Sequence, residues 1–221
     1  MFTDRQIQQN VLNELSTDPS VNAEHIGVSV NSGIVTLTGK VGTFYEKFGA
    51  EKAAQRVLGV QGLTVAIEVK LPNDHHRSDE DIALSIHTLL AWNTAIPKDA
   101  IKVMVENGWV TLSGSVAWNY QREAAHKLVV GLMGVKGITD NIILKPSISG
   151  ASIKDHIDDA LKRQAILDAK KIFVKVDGNQ VTLEGAVSNW AERDVIKKVV
   201  WATAGVQFLV DHMRYESGMI V

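Results

Sequence analysis

The chain contains no cysteine. This absence excludes disulfide bonds, thiolate nucleophiles and metal or cluster sites that need cysteine ligands. The chain also lacks any apolar run close to the 18 or so residues that a membrane-spanning helix requires, so no transmembrane helix is expected. These two absences narrow the possible chemistry but leave the compartment open.

The first ten residues lack the basic-then-apolar order of a secretory signal peptide. We therefore expect a cytoplasmic location for the chain as written, and a periplasmic one if a leader has been removed. Thr3 or Asp4 instead predicts the N-cap of an amphipathic helix.

The chain also lacks an excess of charge of either sign. The 23 basic and 25 acidic residues leave a net charge of −2, which argues against binding to nucleic acid or to an anionic membrane through bulk charge. A local basic patch is compatible with this balance. Hydrophobic residues at 45% and charged residues at 22% are ordinary for a soluble globular protein.

The strongest feature of the sequence is an internal repeat. The heptapeptide Gly-Ile-Val-Thr-Leu-Thr-Gly ending at Gly39 recurs as Gly-Trp-Val-Thr-Leu-Ser-Gly ending at Gly114 and as Asn-Gln-Val-Thr-Leu-Glu-Gly ending at Gly185. The offsets of 75 and 71 residues also align the apolar positions elsewhere. The repeat predicts three tandem modules joined by short polar linkers, at residues 1–72, 78–146 and 150–217.

Within one module the hydrophobic pattern predicts the order α-β-β-α-β. Ile7, Val11 and Leu15 form one stripe of a first helix. Two alternating strands follow, separated by a tight turn that ends at Gly33. A second helix is expected from near Phe44 to Leu58, and a third alternating strand closes the module.

The predicted fold class is therefore α+β, in which each module is a three-stranded sheet with both helices on one face. A core of about 70 residues is marginal alone, so we expect packing between modules to contribute to stability.

Two sets of glycines are predicted to be structural. Gly39, Gly114 and Gly185 fall on the inward face of the second strand, where a glycine indicates a bulge or the close approach of another backbone, a helix being the expected neighbour. Gly59 is expected to cap the second helix, as are its equivalents Gly134 and Gly205.

The Gly-x-Val-x-Leu-x-Gly strand, the α-β-β-α-β order and the Gly-Val that follows the second helix resemble the BON domain, named after bacterial osmotically induced and nodulation proteins. The resemblance covers nearly the whole chain as three copies, although Asn179 stands at the first glycine of the third. It implies a non-catalytic module linked to the envelope, to osmotic stress or to transport, and thought to bind phospholipid.

The residues themselves give no sign of an active site. None of the seven histidines recurs at an equivalent position, and His75 with His76 lies in a linker without a metal-binding pattern. Nucleophile-elbow, Walker and dinucleotide-binding motifs are absent. We therefore predict no enzymatic activity, no cofactor and no metal site.

Two cationic positions recur on the second helix, and aromatic residues cluster at its start. Basic stems beside aromatic rings are typical of a membrane-interface or protein contact. The simpler interpretation is a solvated helix face with aromatics closing the helix–sheet corner. The candidate lipid or partner contacts are Lys47, Lys52, Trp118, Tyr120, Arg122, Lys127, Trp190, Arg193 and Lys198.

On the outward sheet face, the strand alternation predicts that Met104 and Phe173 are exposed although apolar, which fits a contact between modules or subunits. Three functions are thus open. The first is binding of an anionic phospholipid surface through the second helices. The second is a soluble scaffold that binds protein partners, with oligomers possible. The third is a sensor of a small ligand or ion in a cleft between modules.

Overall fold

The computed structural model describes residues 2–145, 153–163 and 172–215. Within these ranges the chain folds into six α-helices, two short 3-10 helices and nine strands. The elements of module 1 are α1 (Asp4–Thr17), β1 (Ile26–Asn31), β2 (Ile34–Val41), α2 (Phe44–Arg56) and β3 (Gly62–Val69). Those of module 2 are α3 (Asp79–Trp92), β4 (Ile101–Glu106), β5 (Trp109–Val116), α4 (Asn119–Val130) and β6 (Gly137–Leu144). Those of module 3 are α5 (Ile153–Arg163), β7 (Ile172–Asp177), β8 (Gln180–Val187), α6 (Trp190–Trp201) and β9 (Phe208–Tyr215).

The three sheets have the same strand order, with the second strand of each module in the centre. β2 pairs antiparallel with β1 and parallel with β3, and β8 pairs in the same way with β7 and β9. The parallel pair follows from the intervening helix, because a strand–helix–strand connection returns the chain to the same end of the sheet. The predicted α+β class with three α-β-β-α-β modules is confirmed.

The core of each module lies between its sheet and its two helices. The apolar stripe of α1 is buried, as predicted from its spacing, and so are the corresponding stripes of α3 and α5. Val35, Val110 and Val181 of the central strands are each 0% exposed. The three copies therefore place equivalent residues in equivalent environments.

Thr3 is the N-cap of α1, with the reciprocal hydrogen bonds of a capping box to Gln6. This confirms the predicted start of the first helix. The helix is amphipathic because Ile7, Val11 and Leu15 follow one another at successive turns.

The described residues form two compact units. The first unit holds modules 1 and 2, as Phe2–Val116 with Tyr120–Ile143. The second holds module 3 with Ala117–Asn119.

Glycine at position 39 is required by the path of the backbone. Its φ is 131°, and the equivalent Gly114 and Gly185 have φ values of 131° and 133°. A Cβ on Gly39 would collide with the carbonyl oxygen of His25, and one on Gly114 with that of Ala100. The predicted close approach is confirmed, but the neighbour differs from the expected helix. The neighbour is the residue just before the first strand of the module, and the first residue of that strand pairs with the glycine.

Gly59 does not cap the second helix as predicted. α2 ends at Arg56 and its C-cap is Val57, in extended conformation. Gly59 lies two residues further on with a φ of 92°, in the turn toward β3, where an added Cβ would lie 3.0 Å from the Ile7 side chain. Gly134 and Gly205 adopt the same φ, within 3°. Glycine at position 59 therefore lets the turn pack against the first helix, because it has no Cβ and tolerates a positive φ.

An aspartate in the first helix holds the hairpin turn of its module. The backbone N–H groups of Ser32 and Gly33 donate to Asp4 at 2.8 and 3.0 Å. In module 2, Asn107 and Gly108 donate to Asp79 in the same way.

The two distances to the Asp79 carboxylate are 2.7 and 2.8 Å. Position 150, the equivalent in module 3, is a glycine that lies outside the described residues. The two hydrogen bonds that Asp79 accepts from the hairpin turn were not predicted from the sequence.

The third hairpin keeps the strand pairing of the first two although Asn179 replaces glycine. Asp177 pairs with Gln180 across a two-residue turn, as Asn31 pairs with Ile34 in module 1. Gly178 supplies a positive φ of 56°. The strand register is therefore preserved in the copy that departs from the motif.

Candidate functional site

The nine residues predicted to contact a lipid or a partner are here called the second-helix surface. They lie on α2, α4 and α6, with Trp118 just before α4. Thr43 and Asn189 cap α2 and α6 through side chains that accept from the N–H groups of Glu46 and Glu192. These caps fix where each helix begins and so which way its basic side chains point.

The arginine of module 3 is paired within its own module. Arg193 Nε lies 2.8 Å from Asp211 Oδ2 on the edge strand β9, and the two side chains are only 25% and 16% exposed. The guanidinium also lies 5.4 Å from the centre of the Tyr215 ring. The hydrogen bond to Asp211 raises the pKa of Arg193, so the cation is permanent. This arrangement ties α6 to the sheet.

The same pairing occurs more loosely in module 2, where Arg122 Nε is 3.9 Å from Asp140 Oδ2. Both aspartates also accept the backbone N–H two residues further along their edge strands. In module 1 the equivalent positions hold Lys47 and Val65. The cation is thus an arginine where the equivalent strand position holds a carboxylate and a lysine where it holds valine.

The second recurring cation is more exposed in all three modules. Lys52 donates to Gln55 at 3.1 Å and lies 5.5 Å from the centre of the Phe48 ring. Lys198 pairs with Asp194 at 2.7 Å, and Lys127 is exposed. The structure therefore separates the two cationic positions, one toward the sheet and one toward solvent.

The aromatic residues of the second-helix surface separate in a similar way. Tyr120 is 55% exposed, and Tyr45 at the equivalent position in module 1 is 53% exposed. Trp118 and Trp190 are half-buried. The tyrosines are exposed, whereas the tryptophans fit the alternative interpretation, in which aromatics close the helix–sheet corner.

A contact that the sequence did not predict joins modules 1 and 2. The Phe48 ring on α2 packs on the His126 ring on α4, with ring centroids 5.8 Å apart and planes tilted by 48°. Burial, the largest cause, lowers the pKa of His126. His126 does not recur in the other modules, and that lack of repetition led us to treat the histidines as uninformative.

Large exposed apolar side chains mark module 2. Leu84 and Trp92 on α3 are 65% and 83% exposed, where module 1 has Gln9 and Thr17. On the outward sheet faces Met104 is 54% and Phe173 67% exposed. The predicted exposure of these last two residues is confirmed, whereas the α3 side chains were missed because only the buried stripe of that helix was sought.

Within the described ranges, no cluster of three or more histidine, aspartate or glutamate side chains is arranged to hold a metal ion. Among the helices that the structure describes, none has the length and apolar character needed to cross a bilayer.

Comparison with known proteins identifies the modules. The BON domain family matches three times, at residues 3–70, 78–146 and 149–217. No curated protein matches significantly.

Among solved structures, CdsD, a structural protein of the type III secretion system of Chlamydia trachomatis, is 14% identical, with 95% of this chain and 92% of that chain covered and a TM-score of 0.26. A structure described as the C-terminal domain of CdsD is 13% identical over 96% and 98%, with a TM-score of 0.27. The PrgH periplasmic domain is 11% identical over 87% and 95%, with a TM-score of 0.22. TM-scores this low carry no functional inference. The three family matches span most of the sequence, and the chain therefore belongs to the BON domain family.

Proposed function

We propose that this chain is a non-enzymatic scaffold, in which modules 1 and 2 act as one unit and present apolar side chains to a protein partner. The observation that carries the proposal is the exposed apolar face of α3, defined by Leu84 and Trp92. The same positions are polar in module 1, so the fold does not require apolar residues there.

The surroundings of this face favour a protein over an anionic membrane. Glu80 and Asp81 are exposed in the first turn of α3, four and three residues before Leu84. Carboxylates this close to the apolar residues oppose approach to an anionic surface. Tryptophan is among the residues that contribute most to protein interfaces when they become buried there.

The test uses the residues of module 1 as the replacement. A variant with Leu84→Gln and Trp92→Thr takes the polar residues found at the equivalent positions of α1 and should fold normally. In a quantitative pull-down we expect proteins retained by the wild-type chain to be lost with this variant. The control variant Phe173→Lys changes an exposed apolar residue of module 3 to the residue of module 2. If both variants retain the same proteins as wild type, the α3 face is not the binding surface.

Binding to an anionic phospholipid surface is the second candidate. The observation that favours it is the repeated exposure of Tyr45 and Tyr120 at the start of the second helices, together with the exposed Lys52 and Lys127. Interfacial tyrosine with nearby lysine is the side-chain chemistry of peripheral membrane contact.

Co-sedimentation with anionic and neutral vesicles tests this candidate. We expect Lys127→Glu to weaken binding to anionic vesicles several-fold, because each cation near such a surface contributes about 1 kcal/mol. Arg122 is a poor choice for charge reversal since it faces Asp140 within the module. Absence of wild-type binding to anionic vesicles at low salt would eliminate the lipid candidate.

The location of the protein and its link to osmotic stress or transport are part of the same proposal, and they rest on the family resemblance. Cell fractionation followed by immunodetection tests the location. Recovery in the envelope fraction supports the envelope assignment, and recovery solely in the cytosol supports a scaffold that acts there.

A further inference from the structure

We propose that the packing of α2 on α4 is a pH-sensitive joint between modules 1 and 2, which loosens when His126 takes up a proton. The joint is defined by Phe48 and Lys52 on α2 and by His126 on α4. It does not depend on which partner the chain binds.

The contact at the joint is made by two rings and one cation. The imidazole of His126 and the ring of Phe48 pack with centroids 5.8 Å apart. The Lys52 ammonium lies 5.5 Å from the centre of the same Phe48 ring. A neutral imidazole is compatible with this packing, whereas an imidazolium brings a second cation to a ring that already has one.

The charges around His126 come from three elements. Glu51 and Lys52 face it from α2, Arg122 from its own helix α4, and Asp140 from β6. The two cations oppose protonation and the two carboxylates favour it.

The carboxylates are partly committed elsewhere. Asp140 faces Arg122 and also accepts the backbone N–H of Ile142 at 3.0 Å, while Glu51 accepts from the Gln55 amide at 3.4 Å. They therefore provide limited compensation for a new positive charge, and burial of the imidazole dominates.

In the packed joint, burial lowers the pKa of His126 below the ordinary histidine value of 6.5. A lowered pKa in the packed state means that the proton binds more tightly when the modules separate. The contribution of the neutral imidazole to the joint is therefore complete well above pH 6.5, and it is lost as the pH falls through that value toward the pKa of the packed state. A response is expected between about pH 7 and pH 5.

The combination of Phe48 and His126 has no counterpart at the equivalent positions of the other modules. The positions equivalent to His126 hold Glu51 in module 1 and Lys197 in module 3, and those equivalent to Phe48 hold Glu123 and Asp194. A general requirement of the fold would place similar residues in all three modules. The ring pair belongs instead to the contact between modules 1 and 2.

Distance measurement by double electron–electron resonance (DEER) on the intact chain tests the proposal. Because the chain has no cysteine, Thr64→Cys and Asn141→Cys add two unique sites for spin labels, at exposed positions of β3 and β6. We expect the distance distribution to broaden and shift between pH 8 and pH 5.5. The same labels with His126→Gln should give one distribution at both pH values. His87→Gln, which removes an exposed histidine of α3, should respond as wild type does.

Two further measurements make each outcome decisive. If His126→Gln fails to fold, His126→Phe keeps an aromatic ring against Phe48, and it should hold the packed distribution at both pH values. Histidine NMR titration should place the pKa of His126 below the ordinary value of 6.5. The proposal is overturned by identical wild-type distributions at the two pH values, by a response that persists without His126, or by a pKa of His126 that is not lowered.

Discussion

The aspartate that holds each hairpin turn gives the sharpest test of the structure. Asp79 accepts two backbone N–H groups, from Asn107 and Gly108, at 2.7 and 2.8 Å. The perturbation is Asp79→Asn. An amide keeps one acceptor oxygen, but its NH₂ group faces the second N–H, so one hydrogen bond is lost and the other loses its charge assistance.

The magnitude follows from the number and type of these bonds. A hydrogen bond to a charged group contributes a net of about 1.5–3 kcal/mol. Because Asn107 is exposed and water replaces part of the loss, we expect Asp79→Asn to cost module 2 about 2 kcal/mol. This corresponds to roughly thirtyfold faster hydrogen exchange in β4 and β5 when exchange occurs through unfolding of the module.

The assay is native-state hydrogen exchange of the strand amides, with Glu80→Gln as the matched control. Glu80 lies in the same helical turn, is exposed and carries the same charge. The control should change stability by less than about 0.5 kcal/mol. An Asp79→Asn variant within that range of Glu80→Gln would refute the reasoning, since the carboxylate would then act only through its charge near the helix N-terminus.

Three further predictions concern stability. Gly114→Val should destabilise module 2 by about 3 kcal/mol or more in urea denaturation, because valine is strained at a φ of 131° and collides with the Ala100 carbonyl. Gly131→Ala is its control, since a Cβ at Gly131 has no atom within 4 Å, and equal effects would mean that the backbone can yield. Arg193→Met should cost module 3 about 1–3 kcal/mol by removing the charged partner of the largely buried Asp211, whereas Lys47→Met, for which the equivalent strand residue is Val65, should cost little in the same thermal unfolding measurement. Hydrogen bonds from Ser20 and from Arg56 lower the pKa of Asp18 to about 2, so its contribution of at most about 2 kcal/mol is complete above pH 4 and lost as the pH falls toward 2. A wild-type urea midpoint with the same acid dependence as that of Asp18→Asn would contradict this assignment.

Much of the fold could be predicted from the sequence because repetition and periodicity report backbone structure. The spacing of Ile7, Val11 and Leu15 identifies the buried face of α1, and three aligned copies of the strand motif identify β2, β5 and β8. The end of α2 was placed two residues too late because Gly59 was interpreted as a cap, although its positive φ serves the following turn.

The candidate site was harder to predict because its chemistry depends on which side chains meet in space. Repetition singled out Arg122 and Arg193 as shared cations, yet their partners Asp140 and Asp211 lie 18 residues further along the chain, on a different element. Asp79 and His126 were passed over because their contacts are made across elements, with a hairpin turn and with another module. Whether the second-helix surface binds lipid or protein remains a prediction.

The pattern of polar contacts has a consequence for how three similar modules sort themselves during folding. Tandem copies of one fold are prone to exchange equivalent strands, because each strand fits the neighbouring sheet almost as well as its own. Each module closes its own sheet, and the strand order is identical in all three. Shape alone therefore gives little discrimination between a correct and an exchanged strand.

The inward-facing residue of the last strand distinguishes β3 from the other two last strands. If β3 took the place of β6, Val65 would stand where Asp140 pairs with Arg122. In the reverse exchange, Asp140 would bring a carboxylate into module 1, whose own strand has a valine at that position. This residue therefore favours the return of β3 to its own module, whereas β6 and β9 share an aspartate there and are not distinguished by it.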